Sequence, residues 1–369
     1  MNRRTFIKTA SAISATVSPI VSSHGDNHQR VRNKQGANVL VLGGTGFFGP
    51  VLVNELINQG HTVTLFNRGK TNPHLFPDLP RIVGDRESVD GRGLSNLING
   101  DQHWDWVVDT WQGSSKAVQD TANLLANRVD QYQYVSTVSV YDKWDRIGID
   151  ESEPLNPLPG NSEPIVSPNR YAIRKTFSEQ ILQRIMPDKT VFFRSHGMRG
   201  FPSTASRHEP YWQVKVARGE HLVLPSDIVH YQVTDMVSLA RFMVHCGISK
   251  INGPFNVAYP PFLFRDFIEE IVSELKSEVK LHWIPQEFLL EHNVTLMRAT
   301  PPGRYRFSVQ RAIDAGLVNR PLSELLDDQL KGYKARNPND DFVFGKPETA
   351  TISAIKEQEI IEKWSNKRA

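Results

Sequence analysis

One cysteine, Cys246, stands among 369 residues, which excludes an intramolecular disulfide and a cysteine-rich metal centre. An excess of charge is equally absent. Lysine and arginine number 43 against 40 acidic residues, and Arg3, Arg4 and Lys8, all ahead of the first acid, account for the surplus. From His24 onward the chain is neutral, which argues against a nucleic-acid binder driven by bulk charge. After the first residues no apolar run approaches the roughly 20 needed to span a bilayer. The histidines never fall at recognisable metal-ligand spacing, so no metal is expected. Internal repeats and low-complexity segments are also missing. What remains is 39% hydrophobic and 22% charged, the profile of a soluble globular chain long enough to bury an ordinary core.

Residues 1–23 read differently from the rest. A short basic head, Asn2-Arg3-Arg4-Thr5-Phe6-Ile7-Lys8, precedes a weakly apolar stretch of Ala, Ile, Ser, Thr and Val with no acid. That order is the pattern of a signal peptide rather than a core helix. The paired arginines with Phe6, Ile7 and Lys8 resemble the bacterial twin-arginine export signal, which sends proteins across the inner membrane already folded. The resemblance implies cleavage near Val21-Ser22-Ser23, the export machinery as a partner and a periplasmic mature protein. A disordered basic tail is the plain alternative.

After a polar linker, 24–37, short β-rich runs alternate with helical stretches. Strands are expected at 38–42, 62–66, 81–83, 106–109, 132–136 and 190–193, and helices at 46–59, 117–128 and 170–185. In the first helix Phe47, Val51, Leu52, Leu56 and Ile57 recur at helical spacing. This alternation predicts an α/β fold, a Rossmann-type doubly wound parallel sheet covered on both faces. Beyond about residue 200 the units become less regular, with a helix at 233–244, a strand at 255–257 and a helix at 265–276. The expected organisation is a dinucleotide-binding Rossmann domain at 38–200, an interleaved, smaller C-terminal α/β substrate-binding part at 201–345, and a C-terminal helix at 346–369. Trp104, Trp106 and Trp111 read as packing around the fourth strand rather than as a stacking platform for bases.

The first chemical signal is the turn Gly43-Gly44-Thr45-Gly46-Phe47-Phe48-Gly49 between the first strand and helix. Gly43 permits a tight turn, Gly46 lets backbone approach a pyrophosphate, and Gly49 lets the helix pack closely on the strand. The amides and dipole at the helix start favour a dinucleotide phosphate. A tight turn without ligand is the alternative.

The Gly-x-x-Gly-x-x-Gly spacing resembles the extended branch of the short-chain dehydrogenase/reductase superfamily, which holds NAD-dependent epimerases, dehydratases and reductases. Gly84-Asp85 looks like that family's adenine-contacting pair. Tyr134-Val135-Ser136-Thr137-Val138-Ser139-Val140-Tyr141 is similar to its Ser-Ser/Thr-x-x-Val-Tyr segment, and Tyr171-Ala172-Ile173-Arg174-Lys175 to its Tyr-x-x-x-Lys. The resemblance implies Thr137, Tyr171 and Lys175 as catalytic residues. It implies a cofactor site at Gly43, Thr45, Gly46, Phe47, Phe48, Gly49, Asn67, Arg68, Asp85 and Arg86, with Tyr171 and Lys175 at its nicotinamide end, and it allows a homodimer.

Tyr171 and Lys175 also have a rationale of their own. An i, i+4 pair shares one helix face, so the ammonium can favour the phenolate, and the phenol can then pass a proton to or from a substrate oxygen. Chance alone also produces this spacing on protein surfaces. Cofactor choice turns on Phe66-Asn67-Arg68-Gly69-Lys70, where no acid stands ready for an NAD ribose. Arg68 suits the 2′-phosphate of NADP, while the other reading has Arg68 in solvent and Asn67 holding the ribose of NAD. Asp235 reads as a helix N-cap. Arg304 in Pro301-Pro302-Gly303-Arg304 either meets an anionic substrate or is simply exposed.

Two features depart from the sugar-nucleotide epimerases. In Arg194-Ser195-His196-Gly197-Met198-Arg199-Gly200, Gly197 takes the place of the asparagine near the nucleotide sugar. An acidic, proline-rich loop at 150–168 lengthens the interval from Thr137 to Tyr171. The expectation is an oxidoreductase or epimerase acting on a carbonyl or secondary alcohol of a sugar-like small molecule. A dinucleotide-binding scaffold or sensor and an RNA-binding relative are the alternatives.

Overall fold

The computed structural model describes residues 36–88, 92–98, 102–160, 170–201, 210–297, 301–345 and 351–368. The expected signal peptide, nearly all of the expected linker and the second half of the 150–168 loop lie outside the described residues.

The chain opens with β1 (Asn38–Leu42), α1 (Gly49–Asn58), β2 (Thr62–Asn67), β3 (Arg81–Val83), the short α2 (Ser95–Ile98) and β4 (Trp104–Asp109). It continues through α3 (Ser115–Leu125), β5 (Val129–Thr137), α4 (Tyr171–Ile185), β6 (Thr190–Ser195) and β7 (Met198–Arg199). Next come α5 (Tyr211–Arg218), β8 (His221–Pro225), β9 (His230–Tyr231), β10 (Thr234–Asp235), α6 (Met236–Ser249), β11 (Gly253–Val257) and β12 (Phe262–Leu263). The last elements are α7 (Phe264–Leu275), β13 (Lys280–Ile284), α8 (Gln286–Glu291), α9 (Gln310–Asp314), α10 (Leu322–Arg336) and α11 (Ala354–Arg368).

Seven strands form one sheet in the order β11-β6-β5-β4-β1-β2-β3, every neighbouring pair parallel. This is the expected doubly wound α/β architecture. The near-continuous apolar runs of β1 and β4 follow from it, because a parallel sheet is covered on both faces. One face packs Val39, Val41, Leu65 and Phe193 against Leu52 and Leu56 of α1 and Leu239 and Met243 of α6. The other packs Leu40, Val107 and Tyr132 against Val118 and Leu125 of α3 and Leu182 of α4. Trp104 and Trp106 are buried in these two layers.

A separate apolar core gathers α5, β8, α7, β13, α8, α10 and α11 around Leu222, Leu224, Phe264, Ile268, Ile284 and Ile360. Its strands pair in small sheets, β8 with β13 in parallel and β9 with β12 antiparallel. In α6, Asp235 accepts hydrogen bonds from the Ser238 and Val237 amides at 2.9 and 3.4 Å. It is the expected N-cap, and Arg320 holds its carboxylate from outside.

Candidate active site

The sheet order reverses at β1, which lies between β2 and β4. Ligands of open α/β sheets bind outside the strand carboxyl ends at such a switch point. There a cavity of about 440 Å³ is lined by the glycine-rich turn, Asn67, Arg68, Asp85, Arg86 and Trp111.

The turn's glycines are required for steric reasons. Gly43 and Gly44 sit at φ +120° and +90°, where a side chain is strained. A Cβ on Gly49 would come within 2.6 Å of the Gly44 backbone, whereas one on Gly46 would meet nothing within 4 Å. Gly49 therefore closes the turn onto α1, and Gly46 faces open space that a ligand can fill. No side chain caps α1 and no acid stands in its first turn, leaving its positive end without a built-in anion. The residues present fit a dinucleotide phosphate.

The side chains around this cavity divide into structural and available groups. Asn67 donates to the Gly43 carbonyl at 2.9 Å and accepts from the Gly69 amide at 2.9 Å, so it braces the turn. Arg86 is buried and paired with Asp109 through two bonds of 2.6 and 2.9 Å. Tyr132 donates to the same carboxylate at 2.6 Å. Burial alone would raise Asp109, but Arg86, Tyr132 and the Trp111 amide outweigh it and hold the carboxyl below its usual range. Thr45 is buried, Phe48 packs into the core beneath, and Phe47 sits at the core's edge. Arg68 is exposed at the rim. Trp111, read as packing from the sequence, lines the cavity with its ring under Arg86.

A second cavity, of about 630 Å³, is lined by Thr137, Ser139, Trp144, Ser195, His196 and Arg304 among others. Thr137 ends β5 in register with Ser195 at the end of β6. Its hydroxyl oxygen accepts from the Ser139 amide at 3.2 Å and lies 3.3 Å from the Ser139 hydroxyl. Sequence reasoning quoted His196 and Arg199 without giving them a role, and passed over Tyr305. For His196 and Arg199, their place just after β6 was the available signal, and for Tyr305 its place beside Arg304.

Tyr171 is the first residue of α4 and 40% exposed, and it is not among the residues lining either cavity. Lys175, one turn on, is buried, and its Nζ donates to the carbonyls of Trp111 at 2.5 Å and Val135 at 2.7 Å. Burial pulls its pKa down to about 7, against the pull of Asp109 and Glu179. His196 is drawn down to about 4 by burial despite backbone contacts from Arg304 and Gln232, so it is a neutral imidazole at physiological pH. Among the described residues no group of three or more His, Cys, Asp or Glu side chains could hold a metal ion.

Residues 39–201 match the NAD dependent epimerase/dehydratase family. That stretch runs from the first strand to just past β7 and contains the glycine turn, Thr137, Tyr171 and Lys175. A plant relative, the chloroplast stem-loop binding protein of 41 kDa b from Arabidopsis thaliana, is 30% identical over 132 residues, 32% of this chain and 34% of its own length. The chain thus spans about a third of the curated relative it matches. Among solved structures, a UDP-glucose 4-epimerase superposes with a TM-score of 0.61 at 16% identity, covering 82% of this chain and 98% of that one. Bordetella bronchiseptica WbmH, in complex with NAD+, gives 0.60 at 16% identity, with 81% and 99% covered. Vestitone reductase from alfalfa gives 0.59 at 16% identity, with 82% and 99% covered. These likenesses are likenesses of fold.

Proposed function

We propose that the chain is an NAD(P)-dependent oxidoreductase of the epimerase/dehydratase type, acting on a carbonyl or secondary alcohol of a sugar-like or related small molecule. The observation that carries this reading is the junction of the two cavities. Strand β5 presents Val135 to the smaller and Thr137, two residues on, to the larger, and the turn after β6 presents Met198 to one and Gly197 and Arg199 to the other. A cofactor site and a substrate-sized space therefore meet at one strand end.

A nicotinamide dinucleotide, when bound, supplies a hydride donor or acceptor. In this reading the glycine turn and the start of α1 hold its phosphates, and Asp85 lies on the adenine side. Arg68 favours NADP over NAD, a choice supported by the absence of a carboxylate after β2 and by the engaged amide of Asn67. Thr137 holds the substrate oxygen, and Tyr171 exchanges a proton with it, aided by the Lys175 charge one turn away.

Denaturing the purified protein and assaying the supernatant for dinucleotide tests the cofactor. The Tyr171→Phe variant tests the proton, since turnover should fall by a factor on the order of 10² to 10⁴ with dinucleotide affinity retained. Full activity in that variant would overturn the role of Tyr171.

We further infer export by the twin-arginine route, with dinucleotide loaded before crossing and a redox-neutral reaction that returns it to its starting state. The stretch shared with a stem-loop binding protein favours a second reading, in which the fold binds a nucleic-acid hairpin. Titrating a stem-loop RNA at physiological salt decides between them, because the chain from His24 onward carries no net charge that would give it a general affinity for phosphate backbones.

A further inference from the structure

Resting on the oxidoreductase reading above, we propose that the larger cavity takes an acidic carbohydrate without a nucleotide, its carboxylate or phosphate held by Arg304 and Arg199. Both arginines line the cavity, and among the described residues no aspartate, glutamate or lysine does. Neither guanidinium is paired with a carboxylate among the described residues. Among the described residues Arg199 donates to the carbonyl of Met198, at 3.0 Å. Arg304 lies over the rings of Trp144 and Tyr305 at 5.3 and 5.9 Å and hydrogen-bonds the Tyr305 side chain, so it is steadied by its aromatic neighbours and its remaining donors are left for an anion.

The loop that carries Arg304 is fixed by close packing. The Gly303 amide donates to the Trp144 carbonyl at 2.9 Å, and a Cβ on Gly303 would come within 2.3 Å of the Arg146 carbonyl oxygen. Only glycine permits this approach, and it sets the next residue, Arg304, against the cavity wall.

The rest of the wall suits a hydroxylated ring. Trp144, Tyr231 and Tyr305 offer aromatic faces for its C–H surfaces. Gln213 and Gln329 are buried and bonded to each other at 2.8 Å, which leaves the Gln213 carbonyl and the Gln329 amide to meet hydroxyls. His196 Nδ1 is buried there without a hydrogen-bond partner among the described residues. A buried polar atom left unpaired is costly, so a polar ligand gains from supplying the missing bond.

The test is titration calorimetry on the full chain, with and without NADP+, using D-glucuronate, D-glucose 6-phosphate, D-glucose and UDP. Binding of glucuronate or glucose 6-phosphate at least about ten-fold tighter than glucose is expected, and the two acids separate a carboxylate site from a phosphate site. Arg304→Gln should lose about ten-fold or more of that affinity, Arg304→Lys less, and Arg199→Gln should weaken it too. Unchanged NADP+ affinity in each variant confirms that it folds. Glucose binding as tightly as the acids, UDP binding more tightly than either acid, or no binding by either acid would overturn the proposal. Loss of NADP+ binding in the unaltered chain would end the oxidoreductase reading instead, while acidic-sugar binding abolished by Arg304→Gln would stand.

Discussion

Lys175 Nζ donates a hydrogen bond to the Val135 carbonyl oxygen at 2.7 Å, joining helix α4 to the strand that borders both cavities. The same ammonium holds the Trp111 carbonyl, and Trp111 belongs to the wall of the smaller cavity. One buried cation thus ties the helix of the candidate acid/base residue to the cofactor wall.

Replacing Lys175 by methionine keeps the length of the side chain and removes both bonds. Two buried carbonyls lose their donor, so stability should fall by on the order of 1–3 kcal/mol, and the loosened Trp111 loop should weaken dinucleotide binding. Urea denaturation and a dinucleotide titration measure the two effects. Weakened turnover with unaltered dinucleotide affinity would show that Lys175 acts only on Tyr171.

Stability should also depend on pH through two groups whose folded-state pKa values are depressed. His196 stays neutral in the folded chain down to about pH 4, whereas an unfolded histidine takes up its proton near pH 6.5. The unfolded state therefore binds more protons in that window, and stability is lost as pH falls from about 6.5 to 4, by about 3 kcal/mol at most. Lys175, at about 7 when folded, gives a rise in stability from about pH 7 towards 10.5 by the same sign. Urea midpoints across pH for His196→Phe and Lys175→Met should each lose one arm of this dependence. Retention of the acid slope in His196→Phe would assign it to carboxylates elsewhere.

Changing Arg3 and Arg4 together to lysine should leave a folded, full-length precursor in the cytoplasm. Cell fractionation with an antibody to the chain reads this directly, and undiminished periplasmic delivery of the double variant would remove the twin-arginine reading.

The cofactor turn and the early strands were legible because local chemistry dictates them. The apolar run 38–42 matches β1 to the residue, and the glycines after it are required by sterics that any sequence reader can apply. Strand β5 was read four residues short, starting only at 132, because Gln131 looks like a surface residue, as its neighbour Gln133 does within the strand. Both are buried, and their amides are satisfied by carbonyls of Ile251 and Met243 more than a hundred residues away. Helix α6 was started early at 233 because its cap, Asp235, lies inside the apolar run. It was also ended early, since Lys250 closes it in a left-handed conformation usually left to glycine. The two-residue strands β7, β9, β10 and β12 have no local signal, since each exists through a distant partner. The larger cavity was illegible for the same reason: Arg304, His196 and Tyr211 meet only once the chain has folded.

The seventh strand of the large sheet, β11, arrives some fifty residues after the family match ends at residue 201. It seals the open edge of β6, and α6 just before it lays Met236, Leu239, Phe242 and Met243 over the sheet face. A chain cut at 201 would carry every glycine of the turn and the Tyr-x-x-x-Lys pair, yet present β6 as a bare edge with half of one face stripped of its cover. Such a fragment should aggregate by edge-to-edge pairing rather than bind dinucleotide. Grafting the cofactor half onto another protein therefore requires transplanting residues 236–257 with it, and during synthesis the sheet stays unfinished until those residues have left the ribosome.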